Sequence, residues 1–316
     1  MKHCVSITAA ALVLTGCGGG SGTESPAPNA NANANAIIAA TPTLSAKPLA
    51  DNKVRLTLSG VDAQASRFCI VQDNSEPAAG AACFTTDADA ALLVQEKAIA
   101  NPSDSTRATF TAWVKSSAGV VSRHASVSAP GKTCSAGAYA AIGASTLPAV
   151  CIITSSGESV VLLESVKAPI SAANFLRYVN QGFYDQTVFH RFWKGSLNFV
   201  QGGGYNYNAS GYDPKASTLP PIVLESPAST GLLNTDGTIA MARTSEPDSA
   251  TAGFFVNTQD NRGFDSASTR SGYAVFGRFV HGANSWRSLL DLAVPGSGEV
   301  KEPGTAHWLR WAYQIQ

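Results

Sequence analysis

Between residues 43 and 130, apolar positions fall in short runs that alternate with polar ones and are cut by turn-forming clusters. Val54–Leu58, Arg67–Val71, Arg107–Lys115 and Val120–Val127 each have the length and composition of a strand, and Asn101-Pro102-Ser103-Asp104 and Ser116-Ser117-Ala118-Gly119 separate two of them from their neighbours. In the third run Phe110, Ala112 and Val114 alternate with Thr111, Trp113 and Lys115, which predicts a strand buried on one face. The pattern predicts a small β-sandwich over 43–130. Residues 131–147, rich in Gly, Ala and Ser, read as a connector to a second domain over 148–316.

That domain opens with an apolar strand, Val150–Thr154, a turn at Ser155-Ser156-Gly157 and a second strand, Ser159–Glu164. Periodicity then changes. Phe175, Leu176 and Val179 recur at helical spacing after Pro169, with Ser171 as the expected cap and Gly182 as the stop. Strand-like stretches follow at Thr187–Phe192, Asn198–Gln201, Gly237–Ala242, Gly253–Asn257 and Tyr273–Val280, and Trp286–Leu292 reads as a second helix. The domain is therefore mainly β with two helices.

The first 42 residues fit neither period. Lys2 and His3 precede an apolar run, Val5–Leu14, far short of the roughly 20 residues of a membrane span, so residues 1–16 read as a signal peptide. The run ends in Leu14-Thr15-Gly16-Cys17, which resembles a bacterial lipobox. Lipid on Cys17 would anchor the chain to a membrane without a transmembrane helix. Gly18 lacks the aspartate of inner-membrane retention, which in a Gram-negative host points to the outer membrane facing the periplasm. Residues 17–42, with Gly-Gly-Gly-Ser-Gly and Asn-Ala repeats, read as a flexible tether.

Charge narrows the partners. Lys and Arg number 22, as do Asp and Glu, so the net charge is zero and no cationic excess exists to neutralise a nucleic acid. With Cys4 removed and Cys17 committed to lipid, Cys69, Cys83, Cys134 and Cys151 remain, and they allow three pairings. In an oxidising compartment the simplest joins sequence neighbours, Cys69 with Cys83 and Cys134 with Cys151. Neither spacing is a CxxC redox or zinc motif.

The chemistry concentrates at Val188-Phe189-His190-Arg191 and, ten residues beyond the arginine, Gln201-Gly202-Gly203-Gly204. An arginine closing an aromatic β run supplies a fixed cation beside an apolar floor, and successive glycines permit close backbone approach. His190 points to the opposite face of the strand from Arg191, which favours a buried, hydrogen-bonded role over proton transfer.

The ordered set Asn174-Phe175, Gly182-Phe183-Tyr184-Asp185, Phe189-His190-Arg191, Gln201-Gly202-Gly203-Gly204, Gly237 to Thr244, Asp248-Ser249-Ala250-Thr251, Phe254-Phe255-Val256-Asn257 and Gly272 to Gly277 resembles bacterial cyclophilin-type peptidyl-prolyl cis-trans isomerases. The resemblance runs from about Leu147 to the C-terminus. It implies an eight-stranded antiparallel barrel capped by two helices, with a groove on its outer face that takes proline-containing peptides. Arg191 then matches the catalytic arginine, and Gln201 the residue that orients it or holds the peptide backbone. Phe199, Met241 and Phe255 match the apolar pocket, Ala242 and Arg243 the peptide-pairing backbone, Phe264 the rim, and Tyr273 a hydroxyl that closes the pocket. The reaction needs no metal and no cofactor. In the N-terminal part, Ala112-Trp113-Val114-Lys115 with Gly119 and Ser122 is similar to the late strands of Ig-like and fibronectin-like modules.

The chain departs from the family pattern in three places. Two extra residues separate Arg191 from Gln201, Gly253 stands where a second glutamine is common, and Gly263-Phe264 replaces an aromatic followed by leucine, which should weaken cyclosporin-like ligands. The resulting expectation is a monomeric, lipid-anchored isomerase acting on unfolded envelope proteins. The alternative on the same fold is a weak or inactive proline-peptide binding module or chaperone.

Overall fold

The computed structural model describes residues 43–60, 66–84, 92–116 and 118–316. The expected signal peptide (1–16) and tether (17–42), with Cys17, lie outside the described residues.

The N-terminal strands are β1 (Thr43–Leu49), β2 (Lys53–Ser59), β3 (Ser66–Gln72), β4 (Leu92–Ala98), β5 (Ala108–Ser116) and β6 (Val121–Ala129). They form two antiparallel three-stranded sheets, β1-β2-β4 and β3-β5-β6. One core joins them: Val54, Leu56 and Leu58 from the first sheet meet Phe68, Ile70, Phe110 and Ala112 from the second. Alternation is what lets each strand give one face to that core. The half-buried expectation for β5 fails in its middle, where Thr111 and Trp113 are buried too. The Cys69–Cys83 disulfide explains part of this, because it holds a loop whose Phe84 packs with Cys69 and Trp113 on the outer face.

The connector is ordered against the barrel. Cys134 is bonded to Cys151, Ser135 caps the short helix α1 (Ala136–Ala140), and Tyr139, Ile142 and Leu147 pack with Ile153, Trp311 and Tyr313. Further contacts tie the sandwich to the connector and the barrel. Asn52 and Thr133 exchange hydrogen bonds of 2.7 and 2.9 Å, Trp311 Nε1 donates to Ser103 O at 2.9 Å, and Arg107 pairs with Asp185. Burial pushes the Asp185 carboxyl up to about 6 against the pull of Arg107.

The second half contributes β7 (Ala149–Thr154), β8 (Gly157–Leu163), α2 (Pro169–Asn180), β9 (Thr187–Phe189), β10 (Arg191–Lys194), β11 (Asn198–Gly202), β12 (Tyr205–Asn208) and β13 (Gly211–Pro214). It continues with α3 (Pro227–Thr230), β14 (Thr238–Met241), β15 (Phe254–Asn257), β16 (Val275–His281), α4 (Ala283–Ala293), β17 (Gly298–Lys301) and β18 (His307–Gln314). Ten of these strands form one antiparallel sheet in the order β17-β10-β11-β15-β14-β16-β8-β7-β18-β9. β9 and β10 are one run broken only at His190, whose N–H still donates to Gln201 O at 3.1 Å. Counted as one, they close the ring between β18 and β11, and β17 is an added rung beside β10. The fold is the expected eight-stranded barrel, and β18, which closes it, carries no motif among those quoted above.

α2 and α4 plug the barrel. Phe175, Tyr178, Trp286 and Leu289 are fully buried in a cluster with Phe189, Phe254 and Phe276. The cap of α2 differs from the sequence expectation. Ser171 lies inside the helix, whose N-cap is Ala168, and the Glu225 carboxylate accepts from the N–H groups of Ile170 at 2.9 Å and Ser171 at 2.7 Å. A carboxylate reaching in from a distant loop satisfies two orphan donors at the positive end of the helix dipole. No described helix is long and apolar enough to cross a membrane.

Glu225→Ala is accordingly expected to cost about 1–2 kcal/mol, and Glu225→Gln less than that. Urea denaturation followed by circular dichroism measures both.

Candidate active site

The barrel wall formed by β10, β11, β15 and β14 carries the groove. Arg191 opens β10 and lies directly opposite Gln201 in β11, followed by Phe192 opposite Val200, Trp193 opposite Phe199 and Lys194 opposite Asn198. The ten-residue spacing of Arg191 and Gln201 is thus a ladder of four facing pairs and a short turn. Side chains alternate with a period of two, so an insertion of two keeps every residue on its face. The turn at its end is closed by Asn198 Oδ1, which accepts from Gly195 N at 2.7 Å.

Parity places Arg191, Trp193, Phe199 and Gln201 on the outer face, where with Leu197, Ala242, Arg243, Phe255, Phe264 and Tyr273 they line a pocket of about 100 Å³. Phe199, Phe255, Phe264 and Tyr273 form its apolar lining, with neighbouring ring centroids 5.1–5.8 Å apart. Phe264 arrives on a 3₁₀ turn, Arg262–Phe264, and so supplies an aromatic wall despite the altered local sequence. Arg243 lies over Tyr273 at 4.8 Å and donates to Gly272 O through Nε and Nη2, which fixes the loop carrying that ring.

Met241 is the exception among the residues matched to the pocket. It is 1% exposed and packs with Ile239 in the barrel interior, while Ala240 between them faces the groove side with Phe199 and Phe255. The alternation that orients Arg191 outward turns Met241 inward. The Ala242 N–H is donated to Gly253 O at 2.9 Å, so this group is already engaged within the sheet.

The guanidinium of Arg191 is held from three sides. Nη1 donates to Gln201 Oε1 at 3.3 Å, Nε donates to Glu299 Oε1 at 2.6 Å, and Cζ lies 5.2 Å from the centre of the Phe199 ring. Arg191 draws the Glu299 carboxyl below the usual carboxylate range, chiefly through that hydrogen bond. Trp193 and Glu299 were missed by sequence reasoning. The first shares the strand period with Arg191 and was legible in principle, whereas Glu299 reaches the site from 108 residues away.

Behind the pocket lies a buried amide network. Asn261 donates to Asn198 O at 2.7 Å and to Asn257 Oδ1 at 2.7 Å, and Asn257 donates to Asn234 Oδ1 at 3.2 Å. Asn234 in turn donates to Asp265 Oδ1 and Tyr273 O. The three asparagines are at most 1% exposed. Their bonds link the end of the hairpin to the loops that carry Phe264 and Tyr273.

The glycine run behaves as its composition suggests at two of its three positions. A Cβ at Gly202 would lie 2.5 Å from the Phe189 ring, and Gly203 has φ +84° with a Cβ position 2.6 Å from Ala252 O. His190 stacks on Tyr205 with centroids 4.2 Å apart, and its Nδ1 is buried with no hydrogen-bond partner among the described residues. Ring packing therefore replaces the expected hydrogen bond. Burial, aided by the charge of Arg191, pushes the imidazole down to about 4.

Comparison with known proteins identifies the family. Residues 149–305 match the family described as cyclophilin type peptidyl-prolyl cis-trans isomerase/CLD. Peptidyl-prolyl cis-trans isomerase A of Dickeya dadantii is 46% identical over 142 residues, which span 45% of this chain and 70% of that protein. The chain belongs to the cyclophilin-type peptidyl-prolyl cis-trans isomerases. Isomerase B of Escherichia coli is 40% identical to this cyclophilin over 148 residues, 46% of this chain and 85% of that one. Among solved structures, a Cryptosporidium parvum cyclophilin aligns with 54% of this chain and 98% of its own at 20% identity, with a TM-score of 0.42. The cyclophilin is an enzyme of class EC 5.2.1.8, and cyclophilins bind proline-containing peptides.

His190 binds its proton more weakly in the folded than in the unfolded chain, whose value is near 6.5. It therefore withdraws stability as pH falls from about 6.5 towards about 4 and is neutral in the fold above that. The His190 ring resonances in NMR are expected to stay flat between pH 5.5 and 8, roughly one unit or more above its folded value.

Proposed function

We propose that Arg191 is the catalytic residue of this cyclophilin and that the enzyme isomerises X-Pro bonds of folding envelope proteins from a lipid-anchored position. The observation that carries the first part is the convergence of Arg191, Gln201 and an aromatic pocket on one wall of the barrel. Amide resonance gives the X-Pro bond a barrier of about 18–20 kcal/mol. In the twisted state the prolyl nitrogen regains its lone pair, and a hydrogen bond to it stabilises that state alone. An arginine offers five donors in a rigid fork and stays charged. Gln201 and Glu299 engage two of them, which leaves others for the nitrogen, while the proline ring sits on Phe199 and Phe255.

The envelope location is supported by the apolar run Val5–Leu14 ending in Leu14-Thr15-Gly16-Cys17 and by the Gly- and Asn-Ala-rich stretch that follows it. The sandwich contacts the barrel through β18, the connector and the loop after α2, whereas the groove lies on the wall built from β10, β11, β14 and β15. That arrangement suits a spacer that holds the barrel at a distance from its anchor without covering the groove.

The weak or inactive binding module on the same fold is favoured by Gly253, which presents no side chain to the groove. A Cβ there would meet Ala242 at 3.4 Å, an ordinary contact, so Gly253→Gln is expected to fold and to raise kcat/KM roughly threefold, as one added hydrogen bond allows.

Two measurements test the proposal. In NMR exchange spectroscopy on a proline tetrapeptide, wild-type protein accelerates exchange and Arg191→Ala lowers kcat/KM by about 100-fold while still binding the peptide; an unchanged rate in the variant refutes the role of Arg191. On expression in a Gram-negative host, Cys17→Ser moves the protein from the membrane to the soluble fraction, and retention in the membrane refutes the lipid anchor.

A further inference from the structure

The reacting arginine carries a partner that neither the groove nor the family motifs include. Glu299 sits on β17, the rung added beside β10, where it lies opposite Trp193 while its neighbour Lys301 lies opposite Arg191. This register puts the carboxylate diagonal to Arg191 on the same face of the sheet. Its Oε1 accepts from Arg191 Nε at 2.6 Å, and the Glu302 N–H donates to His190 O at 2.6 Å, so backbone and side chain both bind β17 to the site.

We infer that Glu299 is a positioning residue for Arg191: it fixes the guanidinium plane through Nε while Gln201 fixes it through Nη1, leaving the remaining donors at a set angle to the prolyl nitrogen. The inference rests on Arg191 being the catalytic residue. An arginine held only through Nη1 can still swing about its long side chain, and the two anchors with the Phe199 face beneath remove that freedom. Orientation is the contribution that counts, because the reaction offers no covalent step and its acceleration depends on donor placement in the twisted state. The counter-effect is the negative charge of Glu299, which weakens the field of the guanidinium. Arg191 and Glu299 are both partly exposed, with 36% and 26% of their side chains accessible, so water screens that charge. The short hydrogen bond keeps its geometry regardless, and orientation wins.

Glu299 also gives the site an acid limit. The charged groups facing it are Arg191 from β10 and Lys301 from its own strand, at 3.7 Å; Lys194, further along β10, is paired to Asp291 of α4. Arg191 depresses the carboxyl, so the carboxylate and its bond persist through the ordinary glutamate range and are lost only as pH falls below it.

The test uses Glu299→Ala, Glu299→Gln and Arg191→Ala in the full chain, with kcat/KM for a proline tetrapeptide from NMR exchange and the peptide dissociation constant from titration. Glu299→Ala is expected to lower kcat/KM about tenfold with the dissociation constant unchanged within about twofold. Glu299→Gln, which keeps an acceptor, is expected to restore activity to within about threefold of wild type and to abolish the acid limb that wild type shows below the ordinary glutamate pKa. Circular dichroism confirms that each variant folds. Wild-type activity in Glu299→Ala overturns the inference, and increased activity in both variants shows that the charge suppresses Arg191 instead. If Arg191→Ala itself is as active as wild type, the underlying assignment fails, and that outcome is distinct from both.

Discussion

The register of β10 against β11 is the constraint on which the site depends. Arg191 faces Gln201 across the ladder, Trp193 faces Phe199, and their common face is the outside of the barrel. A shift of one residue would send Arg191 into a core that contains Phe192 and Val200, and a buried unpaired guanidinium would cost far more than the hairpin gains. Facing residues share a face, so an even spacing keeps Arg191 and Gln201 on the same side of the sheet.

Around that ladder the molecule separates rigidity from chemistry. The interior cluster of Phe175, Tyr178, Phe189, Phe254 and Trp286 fixes the wall from behind. The asparagine network fixes its loops from the side, because Asn198, Asn234, Asn257 and Asn261 connect the hairpin end to the segments bearing Phe264 and Tyr273. Fully partnered buried amides of this kind specify one arrangement, since each alternative leaves a polar group unpaired. The pocket is thus built before a peptide arrives, which suits a catalyst that works through placement.

Local patterns carried much of this into the sequence. The strand β5, the helix α2, the two disulfide pairs and the arginine with its facing glutamine were legible because periodicity of two or 3.6, nearby cysteines and a hairpin are all short-range features. Features made by chain crossings were not. The cap on α2 comes from Glu225 rather than Ser171, β18 closes the barrel from the far end of the chain, and Glu299 meets Arg191 across 108 residues. Met241 shows a different failure. It lies in a stretch that matches the family motif, yet its parity in β14 turns it to the interior, so a motif places the strand while the alternation decides which of its residues face the groove.

A crystal structure of residues 43–316 with a proline tetrapeptide bound tests the role of Arg191 directly. The expected complex has the proline ring against Phe199 and Phe255 and a guanidinium nitrogen of Arg191 about 3 Å from the prolyl nitrogen, with Gln201 and Glu299 still holding the other donors. A peptide seated elsewhere, or an Arg191 turned away from the prolyl nitrogen with the ring in place, would contradict it.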